Sequence, residues 1–433
     1  MIIKPKGTID LLSDDAKKWK YVNRIIDELM EKYNYNYIRT PLFESTDLFK
    51  RTVGESTDIV SKETYDFLDR GERPMTLRPE GTAGVVRSFI ENKMYGDPSL
   101  PIKVYYNGTM YRYERPQSGR DREFTQFGVE VLGTTDEMVD AEIISIPVNL
   151  CKLLGLKGLK VKINSLGDQE SKDKYKEVLY NYFKDKIEGL CPDCKARLEK
   201  NPLRILDCKV DKDSDILKNA PKMLDYLNEA SLIRFNKVQD YLNSLEIDFE
   251  VDSNIVRGLD YYDHTVFELE ANVKGFGSNN VLCGGGRYSK LIEELGGPSM
   301  SAMGFAIGLG RLVMALNLEE VDMKYKKDVD LFIIYNTEVE KQYAAKLIND
   351  LRLNGFVVEM DYLNRNIKGQ FKQADRLNTK YYLILSNDDL INNEIKLKNS
   401  KTKKEEIVNL DYLLYFLEEN IENEDLENEE NLY

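Results

Sequence analysis

The chain reads as an α/β protein in two parts: an α+β domain on an antiparallel sheet flanked by helices, then a small α/β domain with a mostly parallel sheet. Three observations predict this. Residues 103–133 form a long hairpin pattern, two arms rich in aromatic and β-branched residues around a segment holding Pro116 and Gly119. Glycine-rich strands lead into helices twice, in VLCGGGRYSKLIEELGG and AMGFAIGLGRLVMAL. From Val329 to Ser386 the order is strand, helix, strand, helix, strand, the signature of a parallel sheet with crossover helices.

The totals allow this organisation. With 433 residues, 42% of them hydrophobic, the chain is long enough for two or three domains with proper cores. No uninterrupted apolar run approaches the length of a bilayer crossing, so a cytoplasmic protein with no membrane partner is expected. The formal charge is −14, but eight acidic and no basic residues lie between Glu418 and Glu430, leaving −6 for the rest. A mildly acidic body still carries local basic patches, so overall charge does not exclude a nucleic-acid partner.

In chain order, Ser13 and the two aspartates after it predict a helix start, with the hydroxyl as cap. Trp19, Val22, Ile26, Leu29 and Tyr33 then recur at helical spacing. YIRTPLFESTDLF reads as a short strand broken by Pro41, which belongs at a sheet edge or an interface. Residues 64–77 read as a second hairpin turning at DRGER, followed by a helix from about Ala83 to Glu91. That places Glu80 and Thr82 where a strand meets a helix N-terminus, a position for helix capping as well as for ligand contacts, and spacing alone favours capping.

In the long hairpin, alternation puts Arg112 and Glu114 on one face of the first arm and Phe124, Gln126, Gly128 and Glu130 on one face of the second. Such a face is too polar for a core. It suits either a salt-bridged surface or a small charged ligand met by directed interactions. Arg115, Arg120 and Arg122 in the loop form a dense positive cluster, a grouping suited to phosphates.

A helix through Asp140–Leu154 and the strand GLKVKIN follow, and the charged, glycine-poor stretch 168–246 reads as an inserted helical module. Of the five cysteines, Cys191, Cys194 and Cys208 cluster there; an odd count with no secretion signal argues against a disulfide framework. Structural zinc takes four ligands, and this cluster offers three thiols with no histidine nearby, so reduced thiols are favoured, with zinc at Cys191, Cys194 and Cys208 the open alternative. The single histidine, His264, is expected at a polar surface position. NIVRGLDYYDHTVFELE alternates like a strand, GFGSNN turns it, and the triplet Gly284–Gly286 is read as a turn between strand and helix. Glycines there serve either close approach to a ligand or tight packing. There is no Gly-Lys pair and no dinucleotide spacing, so a Walker-type phosphate loop is excluded.

The charged stretch LEEVDMKYKKDVD marks a boundary, giving residues 1–325, 326–416 and an acidic, disordered tail, 417–433, whose last residues, ENLY, partly match a protease-site linker. In the second part, Lys368, Lys372, Arg376 and Lys380 recur every four residues as one basic stripe, suited to solvent or to RNA.

Taken together, these segments resemble the bacterial histidyl-tRNA synthetases over nearly the whole chain, the tail excepted. TPLFE, YRYERPQSGRDREFTQFGVEVLG and GFAIGLGRL are similar to the three class II motifs. IVRGLDYYDHTVFE and GGGRYSKL resemble two segments peculiar to the histidine enzymes, and LRPEGT is shared as well.

The resemblance implies a homodimeric ligase that uses ATP with Mg2+ and no organic cofactor, joining L-histidine to tRNA(His). It implies Arg112 and Arg257 as catalytic and histidine-binding, Arg112 holding the α-phosphate and Arg257 opposite it, against the amino acid carboxylate. Glu80, Thr82 and Gln126 would meet the amino group of histidine and Glu130, Tyr262 and Tyr288 its imidazole, with Gly81 and Tyr261 also in the histidine site. Phe124 and Arg311 would sandwich adenine, with Glu114 near its amino group. Arg115, Gln117, Arg120 and Arg122 would meet the acceptor end of the tRNA, and the last domain, with Lys368, Lys372 and Arg376, the anticodon side. Two departures stand out: Gly310 where most members have glutamate, and the variable cysteine cluster. The rival reading is the regulatory paralogue of the fold, which binds histidine without aminoacylation.

Overall fold

The computed structural model describes residues 1–53, 59–116, 119–206, 208, 210–255, 261–276, 280–323 and 329–422. The chain divides into two compact units, Met1–Met323 and Lys324–Tyr433. Several expectations lie outside the described residues: Arg257, Gln117, the turn at 277–279, the linker core at 324–328 and the tail from 423.

The first unit is built on an eight-stranded sheet. Its strands are β1 (Asn36–Tyr37), β5 (Ile102–Tyr111), β6 (Glu123–Leu132), β7 (Leu159–Ser165), β8 (Phe249–Val251), β9 (Asp263–Ala271), β10 (Val281–Tyr288) and β11 (Ala302–Gly308). A separate three-stranded sheet holds β2 (Phe43–Ser45), β3 (Tyr65–Leu68) and β4 (Pro74–Leu77). The large sheet runs β1-β5-β6-β11-β10-β9-β7-β8, antiparallel throughout its middle, with parallel pairs only at the two edges.

The long hairpin is β5–β6, in register from Ile102 opposite Leu132 to Tyr111 opposite Glu123. Its first arm ends earlier than expected. Arg112 N–H still reaches Arg122 O at 2.9 Å, but Glu114 N–H turns back to Arg112 O at 2.8 Å and leaves the ladder, so Arg112 and Glu114 lie beyond the strand. The strand expected across Pro41 is instead two strands in different sheets, β1 and β2, with exposed Pro41 in the link between them. The Gly284–Gly286 triplet is not a turn but the middle of β10, because a side chain at Gly285 would drive into the Phe267 ring and Phe305 of the adjacent strands. Tyr261 and Tyr262 precede β9 rather than lying on it.

Helices α1 (Ser13–Lys32), α2 (Thr46–Val53), α3 (Thr82–Glu91) and α4 (Glu137–Leu153) accompany these strands. On α1 the buried stripe is Tyr21, Val22, Ile26, Leu29 and Met30, and Ser13 is no cap: Leu12 holds the cap position without a side-chain bond. The insertion consists of α5 (Gln169–Lys184), α6 (Pro192–Lys200), α7 (Asp215–Lys218) and α8 (Glu229–Ser244). It has its own small core, with Tyr175, Leu179, Phe183, Cys194, Ile205 and Cys208 buried together. Helix α8 is tied to α4 by Arg234, which reaches Glu137 at 3.3 Å and Asp140 at 3.2 Å. Helices α9 (Leu291–Glu294) and α10 (Leu309–Leu318) follow β10 and β11.

The second unit has a five-stranded sheet ordered β13-β12-β14-β15-β16, with β12 (Leu331–Ile334), β13 (Val358–Met360), β14 (Tyr381–Ile384), β15 (Glu394–Asn399) and β16 (Glu405–Asn409). The first three strands are parallel, joined through α11 (Glu338–Leu353) and α12 (Ile367–Arg376), as the pattern predicts. The sheet is mixed rather than mostly parallel, because β15 and β16 add an antiparallel hairpin in which Ile395 and Leu397 face the core. Nor does disorder begin at Leu417: Leu413, Leu417 and Ile421, four residues apart, are all buried in one helical run.

Candidate active site

The second arm of the hairpin organises the site, because alternate residues of β6 share one face. Phe124 and Gln126 line a cavity of about 950 Å³ together with Arg112, Glu114, Arg120 and Arg311. Arg112 is held by its Nε–H donating to Pro79 O at 2.9 Å, with its guanidinium 5.3 Å from the Phe124 ring centroid and 3.9 Å from the Glu114 carboxylate. Glu114 also faces Arg120 at 3.5 Å. Across the cavity, at the start of α10, Arg311 donates from Nε to Val281 O and stacks 4.5 Å over Phe276, a ring the sequence reading did not single out. Gly310 lines the same cavity, and a side chain there would meet open space, so packing does not dictate glycine.

Farther along the same face of β6 lies a buried recess. Glu130 accepts from Thr82 Oγ1 at 2.7 Å and from Tyr288 Oη at 2.6 Å. Burial of its carboxyl pushes the pKa up to about 8, against the lowering effect of those two hydroxyls. Tyr261 packs on Tyr262 and Tyr288 with ring centroids 4.6 and 5.6 Å away. Gly304, opposite Glu130 in the neighbouring strand, leaves the space that the carboxylate occupies.

Glu80 takes the capping role that spacing favours. Its oxygens accept from the N–H groups of Thr82 and Ala83 at 2.7 and 2.8 Å, satisfying the first turn of α3, and burial raises its pKa as well. The Tyr106 ring occupies a slot between Gly81 and Gly128, where a side chain at either position would overlap it. Its hydroxyl, like Gln126 Oε1, is buried without a hydrogen-bond partner among the described residues. Gln126 Oε1, on the wall of the cavity, is a group to which a ligand can bond.

The loop arginines divide. Arg115 is exposed and Arg120 turns into the cavity, whereas Arg122 is structural: it stacks 3.9 Å over Tyr113 and its stem packs against Gly7. In the second unit Lys368, Lys372 and Arg376 are exposed on α12, but Lys380 lies past its end and pairs with Asp330 at 3.2 Å, so it does not extend the stripe. His264 is half-buried rather than at the surface, with a left-handed backbone (φ 43°), an Nδ1 that has no partner among the described residues and a pKa lowered chiefly by burial.

Sequence reasoning passed over Tyr106, whose only signal is the pair of glycines around it. It also missed Asp211, which the fold brings to Cys191, Cys194 and Cys208. The role of Arg287 was equally hidden: this residue is 1% exposed and bonded to Asp140, Thr134 O, Asp136 O and Ser301.

Comparison with known proteins accords with this geometry. Residues 7–312 match the family model for histidyl-tRNA synthetase, and residues 330–420 match that for the anticodon binding domain. The histidine–tRNA ligase of Anoxybacillus flavithermus is 51% identical over 406 residues, covering 94% of this chain and 96% of the relative. The crystal structure of apo Staphylococcus aureus histidyl-tRNA synthetase superposes with a TM-score of 0.84 at 45% identity, covering 96% of this chain and 100% of that one. A Bacillus halodurans C structure, described as an ATP phosphoribosyltransferase regulatory subunit/histidyl-tRNA synthetase, shares the fold with a TM-score of 0.63 at 23% identity, covering 89% and 99% of the two chains. A family model spanning the first unit and a relative half identical along almost all of its length show that the chain belongs to the histidyl-tRNA synthetase family of class II aminoacyl-tRNA ligases.

Proposed function

We propose that this protein activates L-histidine with ATP to histidyl-adenylate, releasing pyrophosphate, and then transfers histidine to the 3′ end of tRNA(His). The observation that carries the reading is a buried, hydroxyl-bonded carboxylate, Glu130, on the same strand face as an arginine-lined cavity. Imidazole offers an N–H on one side and a lone pair on the other, which a carboxyl group and phenol hydroxyls match. Such a recess rejects apolar side chains, whose binding would leave its polar groups unpaired, by roughly 10⁴-fold in favourable cases.

In the first step an oxygen of the histidine carboxylate attacks the α-phosphorus and pyrophosphate leaves. Negative charge builds on the phosphoryl oxygens. Arg112 is assigned to hold them, and its partner would be Arg257, assigned by resemblance alone. Phe124 and Arg311 supply the layers for adenine, with Glu114 at its edge, and the orphaned Oε1 of Gln126 suits the substrate ammonium. Glu80, Gly81 and Thr82 are assigned beside it, and Tyr261 and Tyr262 close the recess around the ring.

Magnesium, on which the family depends, fits the hard oxygen donors Glu123 and Glu268 that line the cavity. When bound with ATP it would neutralise charge on the phosphates. Arg115, Gln117 and Arg120 are assigned to the acceptor end of the tRNA, and Lys368, Lys372 and Arg376 to the anticodon side. Exposed Tyr37, Phe43, Phe67 and Leu68 on the first three strands support a homodimer. Among the described residues no helix is long and apolar enough to cross a membrane, in keeping with a cytoplasmic role.

The test is exchange of pyrophosphate into ATP, run across several amino acids. Histidine alone should support it, and no exchange above a histidine-free control ends the reading. Arg257→Ala should keep histidine binding within severalfold and abolish adenylate formation; unchanged adenylation would move that role elsewhere. The regulatory reading needs no nucleotide cavity and no anticodon unit, so Arg112, Glu114, Phe124 and Arg311 around one cavity favour the ligase.

A further inference from the structure

We propose that Cys191, Cys194, Cys208 and Asp211 bind a single zinc ion that staples the helical insertion. The inference is independent of the catalytic reading. One ligand atom from each of the four residues lies within 4.8 Å of all the others. The Cys191 and Cys208 sulfurs are 3.6 Å apart, and all three cysteines are free. A tetrahedral zinc with Zn–S bonds of about 2.3 Å holds its sulfurs about 3.8 Å apart, so this spacing is that of ligands around one ion.

The backbone builds the site from two short segments. Cys191 occupies the cap position of α6, Pro192 opens the helix, and Cys194 sits in its first turn, so two sulfurs project together from a Cys-x-x-Cys knuckle. Cys208 and Asp211 come three apart from the stretch after the short helical turn Pro202–Ile205. One backbone bond joins the two segments at the ligand atoms and a second orders the later one. Cys191 N–H donates to Asp211 Oδ2 at 3.0 Å, and Asp211 N–H donates to Cys208 Sγ at 3.5 Å. Backbone donors of this kind are the outer contacts that orient anionic metal ligands.

Three thiolates and one carboxylate choose among metals. Calcium and magnesium take oxygen donors, and iron–sulfur clusters take four cysteines. Zinc accepts sulfur and carboxylate together in a closed tetrahedron. Binding replaces the three thiol protons, which pass to solvent, and changes no oxidation state.

The insertion has reason to need a staple. Among the described residues between Lys184 and Glu229 the only α-helices are the nine residues of α6 and the four of α7, around a core of which Cys194 and Cys208 are themselves part. The segment clamped between the two ligand pairs carries Arg197 and Arg204, both of which line the cavity beside Arg112 and Glu114. A metal here therefore also fixes two arginines that face the nucleotide cavity.

The experiment is metal analysis of the full-length protein purified without chelator and re-equilibrated with Zn2+. One zinc per chain is expected, with loss of that zinc in Cys194→Ser and Asp211→Asn. Co2+ replacing Zn2+ should give intense visible d–d bands of a tetrahedral site and a thiolate-to-cobalt charge-transfer band, both lost in Cys191→Ser as in Cys194→Ser. Zinc far below one per chain, a wild-type protein without that cobalt band, or a Cys191–Cys208 disulfide with no bound metal would each overturn the proposal. Because the wild-type measurements stand alone, misfolding of a variant cannot rescue it.

Discussion

Tyr288 donates its phenolic hydrogen to Glu130 across 2.6 Å, with both side chains only 1% exposed. Thr82 completes the carboxyl group's pairing from the start of α3. The polar end of the recess is thus assembled from β6, β10 and α3 before any substrate arrives, which lowers the ordering cost of binding.

Protonation of Glu130 should be visible in stability. Its folded-state pKa, about 8, lies above the usual 4.5. Between these values the folded chain holds a proton that the unfolded chain has lost. The associated stability is therefore full below the lower value and disappears as pH rises through the upper one. Calorimetry of the ligand-free protein should show Tm falling from about pH 5 to about pH 8 more steeply than in Glu130→Gln. Equal slopes would mean that this carboxyl is ionised throughout.

Replacing Tyr288 by Phe removes one donor from a buried carboxyl group. The cost of an unpaired buried group, about 1–3 kcal/mol, should lower kcat/KM for histidine by about tenfold or more, leaving KM for ATP within twofold or so. Pyrophosphate exchange at varied histidine and varied ATP separates the two parameters.

Arg112→Ala should lower the exchange rate by on the order of a hundredfold, since the charge that develops during attack loses a fixed donor. Arg112→Lys should recover little of it, because an ammonium lacks the planar fork held between Pro79 O and Phe124. Full activity in the lysine variant would show that only charge is needed.

A methyl group at Gly304 would collide with the Glu130 carboxylate and the Val129 carbonyl. Gly304→Ala should destabilise the protein by about 1–3 kcal/mol in urea unfolding and remove histidine-dependent exchange. A variant of unchanged stability and activity would show that the recess yields easily.

Asp140→Asn tests the buried pair with Arg287, neither of which lines the cavity. Losing the negative charge leaves the guanidinium, bonded to Thr134 O, Asp136 O and Ser301, without its counterion, at a cost of about 3–5 kcal/mol. Guanidinium-chloride unfolding should show that loss, while the variant, where still folded, keeps its histidine selectivity.

Much of this was legible in the residues. The β5–β6 hairpin, the basic face of α12 and the parallel half of the second sheet follow from alternation and helical spacing, which report burial directly. What escaped depends on contacts distant in sequence. Nothing local distinguishes Asp211 from its acidic neighbours until the turn beyond Ile205 brings it to three sulfurs. Arg287 reads as one more basic residue in a glycine-rich stretch until Asp140, 147 positions away, is found beside it. The glycine triplet was misplaced because a residue with no side chain signals a bend as readily as a crowded strand. The β15–β16 hairpin was overlooked because its alternation is diluted by lysines and asparagines.

Tyr106 fits only because positions 81 and 128 are bare on either side of it, and Glu130 only because position 304 is bare. The shape of the recess is thereby written partly in atoms the chain does not have. Anyone redesigning this enzyme for a bulkier amino acid should first trim the phenol at position 106, because enlarging any of the three glycines would fill the recess from outside and close it to every substrate alike.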